Sequence, residues 1–169
     1  MADPLGRYVR QDRVIASSVL DRLLDEEPDQ LSDQLMSLSA QTRHLRESIR
    51  RDLEALLNTR RSPQSPPANL PELAESALTY GVDGFVSANL VTDEAKVDLA
   101  RALERRIAQT ETRLTNVHVT ILRNRNTGER TLKMRIEASF RLQDGTPPIR
   151  FETTIDPSSQ RFSIESANE

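Results

Sequence analysis

Apolar residues recur at helical spacing from residue 92 onward: Ala95, Leu99, Leu103 and Ile107 stand four apart, with Ala100 and Ala102 beside them. That is one apolar stripe on a helix. Thr92 supplies a hydroxyl cap, and Asp93 and Glu94 put negative charge at the N-terminal end, where the helix dipole favours it. Lys96, Asp98, Arg101, Glu104, Arg105 and Arg106 fall mostly on the opposite face. From Leu114 the period changes to alternation, with Val117, Val119 and Ile121 on one side and His118, Thr120 and Leu122 on the other. The pattern predicts a helix that feeds directly into a sheet through residues 109–114, with the core where that helix lies on that sheet.

The same reading predicts the other elements. Ile15, Val19, Leu23 and Leu24 make a short amphipathic helix that Pro28 should stop. Residues 29–40 give no clear pattern. A second helix is expected over about 41–58, its stripe formed by Leu45, Ile49, Leu53, Leu56 and Leu57. Residues 62–71 hold four of the nine prolines and read as a stiff loop. A helical turn follows near 73–78, and Tyr80-Gly81 with Asp83-Gly84 marks a tight passage where glycine supplies positive φ. Beyond the first strand, Asn126-Thr127-Gly128 reads as a hairpin tip. Leu132, Met134, Ile136, Ala138, Phe140 and Leu142 then alternate with Lys133, Arg135, Glu137, Ser139 and Arg141. Turns at 143–148 and 156–159 separate a third strand (Ile149, Phe151, Thr153, Ile155) from a short fourth (Phe162, Ile164). One wet face and one buried face belong to an antiparallel sheet covered on one side. The expected fold class is α+β: two to three helices packed on one face of a small antiparallel meander of about four strands. The domain reading is an N-terminal arm over 1–40, carrying the short helix, and a domain over 41–169.

Composition narrows the chemistry. The 169 residues include no cysteine and no tryptophan, 36% are apolar, 29% are charged, and the net charge is −3. Disulfides and thiolate metal sites are thereby excluded. No apolar run approaches the ~20 residues of a membrane span, so membrane insertion is not expected. His44 and His118 are the only histidines and have no partner at metal-ligand spacing. No phosphate loop, nucleophile elbow or zinc helix is present. Neither a metal nor a cofactor is expected. The arginine runs Arg43/Arg46/Arg50, Arg60-Arg61 and Arg101/Arg105/Arg106 are interrupted by acids, as on solvated helix faces, so nucleic acid is not the expected partner. Glu111 and Arg113 stand at the helix-to-strand corner. They either decorate a connection or form charge-assisted bonds that fix it or receive a partner.

Three stretches in order carry a family resemblance: Leu56-Leu57-Asn58-Thr59-Arg60-Arg61, Ser76-Ala77-Leu78-Thr79-Tyr80-Gly81, and Glu111-Thr112-Arg113-Leu114 before a meander containing Arg150-Phe151-Glu152-Thr153-Thr154-Ile155-Asp156-Pro157. Together they resemble the TssE baseplate subunits of the bacterial type VI secretion system. The relatives of those subunits are the lysozyme-like wedge proteins of contractile phage tails. The resemblance runs from about residue 18 to 164. At the corner the family carries Glu-Pro-Arg, and Thr112 stands here in place of its proline. After Tyr80-Gly81 the family continues Leu-Pro-Asp, where this chain has Val82-Asp83-Gly84.

The resemblance implies a non-enzymatic structural part of a cytoplasmic baseplate docked at the inner membrane. Its partners would be the wedge proteins TssF and TssG and the sheath proteins TssB and TssC, with sheath assembly begun by β-strand pairing. The implied contact sets are the sheet edge for the sheath, the helix bearing Val19, Leu20, Leu23 and Leu24 for the wedge, and Glu111 with Arg113 at the corner. Asn58, Arg60, Arg61, Tyr80 and Gly81 match family motif positions. The alternatives are a muramidase-like glycan hydrolase, which would use Glu111 as its acid, and a single-partner adaptor or regulator on the same fold.

Overall fold

A computed structural model describes residues 18–24, 29, 37–64, 66–67, 69–83, 92–122, 131–141, 148–156, 159 and 161–166. Ile15, Pro28, the passage from Gly84 to Val91, the hairpin tip around Gly128, Leu142 and most of the turn after it lie outside the described residues. The described chain falls into two compact units, 1–48 and 49–169. The described residues form three helices, α1 (Val19–Leu23), α2 (Leu38–Asn58) and α3 (Asp93–Thr110), with four strands β1 (Leu114–Leu122), β2 (Leu132–Phe140), β3 (Ile149–Asp156) and β4 (Arg161–Ser166). Helix α2 begins in the first unit and ends in the second.

In the first unit, α1 opens with a capping box. The Ser18 hydroxyl accepts from the Asp21 amide at 3.1 Å, while the Asp21 carboxylate accepts from the Ser18 amide at 3.2 Å. Helix α2 starts three residues earlier than the apolar stripe predicts, at Leu38 rather than Gln41. The reason is a cap: the Ser37 hydroxyl accepts from the Ala40 amide at 3.3 Å and its carbonyl from the Gln41 amide at 2.9 Å.

The second unit is the expected α+β arrangement. Its sheet is an antiparallel meander in the order β1-β2-β3-β4. The core residues follow the alternation read from sequence: Met134, Ile136, Ala138 and Phe140 of β2, Ile149, Phe151 and Ile155 of β3, and Phe162 and Ile164 of β4 are all buried. From the helices come Ile49, Leu53, Leu56 and Leu57 of α2 and Leu99, Ala100, Leu103 and Ile107 of α3. The outer face carries cross-strand ion pairs, Arg135 with Glu152 at 3.2 Å and Arg150 with Glu137 at 2.9 Å. Such exposed pairs set register more than stability.

One feature of β1 departs from plain alternation. Leu114 and Val119 are both buried although they stand at opposite parity. A bulge between Thr115 and His118 sets Asn116 and Val117 against a single β2 residue, and Asn116 takes a φ of +53°. The extra residue restores the core-facing phase. Asparagine is among the few non-glycine residues that adopt this left-handed conformation readily.

Between α2 and α3, the predicted helical turn is a pair of short 3-10 turns, Pro71–Glu75 and Ala77–Thr79. The buried Thr79 hydroxyl ties them down by donating to the Ser76 carbonyl at 2.9 Å. Gly81 then turns the chain at φ +103°.

Candidate functional site: a charged corner and an occupied sheet edge

The corner between α3 and β1 is built from the backbone outward. Glu111 ends α3, its amide donating to the Ile107 carbonyl at 2.8 Å, and its carbonyl accepts from the Leu114 amide at 3.2 Å. That turn brings the Arg113 side chain back onto Glu111. Arg113 Nε donates to Glu111 Oε1 at 2.6 Å and Nη2 to Oε2 at 2.5 Å, a bidentate clasp, and Nη2 also reaches Asp52 Oδ2 on α2 at 2.7 Å. The Arg113 carbonyl accepts from the Arg141 amide at 2.9 Å, so the corner is tied to the end of β2 as well. Glu111 is only 8% exposed. The hydrogen bond to Glu111 holds the Arg113 guanidinium above its ordinary pKa despite burial. In this structure Glu111 and Arg113 therefore bond to each other and join α3, β1 and α2.

Tyr80 belongs to the same neighbourhood. Burial raises its phenol pKa, and the negative charges of Asp52 and Glu111 add to the rise. A backbone strap sets its position. The Val82 amide donates to the Thr59 carbonyl and the Arg61 amide to the Val82 carbonyl, both at 2.9 Å, in a parallel bridge between Arg60 and Val82. Gly81 lies against this strap, where a Cβ would stand 2.4 Å from the Thr59 oxygen. Glycine is required there for space as well as for φ.

Asn58, at the end of α2, has a different task. Its Nδ2 donates to the Phe162 carbonyl and its Oδ1 accepts from the Phe162 amide, both at 2.9 Å. Arg50 Nη1 donates to the Ile164 carbonyl at 3.2 Å. A side-chain amide making both bonds to one residue imitates a neighbouring strand. The outward edge of β4 is thereby occupied by α2 over Phe162 and at the Ile164 carbonyl. On β1, at the other end of the sheet, Glu104 Oε1 accepts from the Val119 amide and from His118 Nδ1, both at 2.8 Å. By strand alternation the outward groups on that edge continue at Ile121.

The remaining candidates separate. Arg60 is exposed and serves the strap through its backbone. Arg61 pairs with Asp83 at 3.5 Å. Val19, Leu20 and Leu23 on α1 and Leu24 at its C-terminal cap, in the first unit, are 75%, 50%, 76% and 53% exposed. There α1 is inverted relative to a core helix. Asp21 is buried and accepts from the Ser48 hydroxyl of α2 at 2.6 Å, while the aliphatic residues are exposed.

Sequence reasoning missed Asp52, and the only signal was its place off the apolar stripe of α2. It also missed that Asn58 binds a strand more than a hundred residues away. For glycan hydrolysis, the acid must sit in apolar surroundings opposite a second carboxyl. Glu111 has both oxygens occupied by a guanidinium instead. Among the described residues no group of three or more His, Cys, Asp or Glu side chains is placed to hold a metal ion. No described helix is long and apolar enough to cross a membrane.

No curated protein matches the chain. The family model described as baseplate wedge protein gp25 matches residues 43–145, which takes in the strap, the corner and β2. That span exceeds half of the sequence. The chain belongs to the gp25 family of baseplate wedge proteins, which is also the family of the type VI secretion subunit TssE, and is a structural component of a phage or type VI baseplate.

Proposed function

We propose that this protein is a non-enzymatic adaptor of a type VI secretion baseplate. It docks on the wedge proteins TssF and TssG and starts the contractile sheath of TssB and TssC by strand pairing, in the cytoplasm at an inner-membrane-docked baseplate. The observation that carries the reading is the asymmetry of the sheet. One edge, β4, is covered by Asn58 and Arg50, and the other, β1, has one amide held by a glutamate at its margin. A strand can add to β1 over Val119–Leu122 once Glu104 swings away, since backbone bonds supply the affinity in such pairing. The wedge contact falls to the N-terminal arm, residues 1–40. Four outward aliphatics on a helix anchored through its polar side suit a helix-in-groove contact. The corner of Glu111 and Arg113 gives a rigid base for either partner.

Co-expression with the wedge and sheath pairs, read by co-purification and electron microscopy, tests this directly. Ile121→Pro removes an outward amide without touching the β1–β2 ladder, because proline is tolerated on an edge. It should retain wedge binding and lose sheath nucleation. Leu20→Glu with Leu23→Glu should do the reverse. Sheaths that form normally on the Ile121→Pro protein would end the β1 assignment. A wild-type chain that binds neither pair would end the adaptor reading.

A further inference from the structure

Two arginine runs that read separately as solvated faces meet in the fold. Arg61, just past α2, and Arg105 and Arg106 on α3 line one cavity of about 310 Å³ together with Gly81, Asp83 and Gln109. We propose that this cavity is a binding site for a carboxylate side chain of an acidic peptide segment, presented by another chain of the assembly.

The charge balance is the first argument. The lining holds three guanidinium groups against one carboxylate, Asp83, which is itself 61% exposed and 3.5 Å from Arg61. Residues 84–91, which follow Asp83 in sequence, contain no charged residue. Excess positive charge is thus concentrated locally in a chain whose net charge is −3. One donor in the lining is also unspent. Arg61 Nε is buried with no hydrogen-bond partner among the described residues. The Nε atoms of Arg46 and Arg135 are in the same state, but of the three arginines only Arg61 lines the cavity. Arg106 spends its Nε on the Gly81 carbonyl at 2.8 Å, which fixes the guanidinium at the cavity wall. Burial lowers the Arg106 pKa, the nearby Arg61 charge lowers it further, and the Asp83 carboxylate acts in the opposite direction. Size is compatible with this ligand. The volume lies at the low end for ligand cavities. It holds an acidic side chain with space left for the backbone that carries it. Nucleic acid would need a basic stripe longer than this one cluster. The choice of a peptide over a free anion rests on the assembly reading. The site itself rests on the cavity.

Nuclear magnetic resonance of the arginine Nε–Hε groups in the isolated full chain tests the proposal at constant ionic strength. The probes are a blocked Glu-rich pentapeptide, its Gln counterpart and inorganic phosphate. The Glu peptide should shift the Arg61 and Arg106 signals saturably, and the Gln peptide should not. Arg150, exposed on the outer sheet face with its Nε bonded to Glu137, serves as the control for general charge effects. Arg105→Gln, on an exposed helix position, should weaken the response about tenfold, as expected for one charge-assisted contact. Arg61→Gln should do the same if it folds. Equal shifts with Glu and Gln peptides, or no saturable shift with the Glu peptide, would overturn the proposal. A response to phosphate without one to the Glu peptide would also overturn it, by making this a small-anion site. None of these outcomes depends on wedge or sheath partners, so failure here is separable from failure of the adaptor reading.

Discussion

Changing Asn58 to aspartate alters one atom and isolates the edge mimicry of α2. In the wild type, Nδ2 donates to the carbonyls of Phe162 and Glu54, each at 2.9 Å, while Oδ1 accepts from the Phe162 amide. Aspartate keeps the acceptor and loses both donor bonds, worth about 1 kcal/mol each at a typical net value. It also sets a negative charge at the C-terminal end of a helix, at roughly 0.3–1 kcal/mol. The retained bond becomes charge-assisted and offsets about 1 kcal/mol. The expected loss is about 1–3 kcal/mol at pH 7, which for a chain of this size lowers the melting temperature by roughly 3–10 °C. The variant carries its own internal check. Protonation of the new carboxyl, near pH 4 for an unperturbed side chain, restores a donor towards the Phe162 carbonyl. The gap between variant and wild type should therefore narrow as pH falls from 7 to about 3.5. Asn58→Ala should show a loss that does not vary with pH. Urea melts of the three proteins at both pH values are the assay. An Asn58→Asp protein as stable as wild type, or a gap that widens in acid, would mean that the amide does not hold the β4 edge.

Three further outcomes are expected. Thr153 is 1% exposed and its hydroxyl has no hydrogen-bond partner among the described residues, so Thr153→Val should raise stability by about 1 kcal/mol in urea melts. Gly81→Ala should cost at least about 2 kcal/mol, because it combines a φ of +103° with a Cβ 2.4 Å from the Thr59 oxygen. A melting point within a degree of wild type would refute that. The raised Tyr80 pKa has a definite linkage sign. The unfolded chain loses the phenolic proton near pH 10, whereas the folded chain keeps it to higher pH, so stability falls as pH rises above about 10. Tyr80→Phe should lose less stability than wild type between pH 9 and 11, measured by paired thermal melts.

Much of the fold was legible because its signals are local. The period-four stripe of α3, the hydroxyl cap at Thr92 and the alternation in β2, β3 and β4 each lie within a window of a few residues. Each element has one apolar face, so its buried side follows once its period is known. The corner residues Glu111 and Arg113 were visible for the same reason, being two positions apart at a change of period. The bulge at Asn116 was less legible, since its cause is the need to bring Leu114 and Val119 onto one face, and that need exists only against β2.

The sequence by itself determined the α+β class, the core residues of β2, β3, β4 and α3, the glycine turn at Gly81 and the identity of the corner pair. Tertiary structure alone decided what those residues do. Asp52 reaches Arg113 across 61 positions, and Asn58 reaches Phe162 across 104. Arg61 and Arg106 share a cavity although they belong to different runs. Polar partnerships of this kind leave no periodic trace, because a single side chain satisfies a single group and the chain between them is unconstrained. Apolar burial is collective and repeats along an element, so it is written in the pattern. Hydrogen bonds between distant elements become definite only when packing has brought their atoms within about 3 Å.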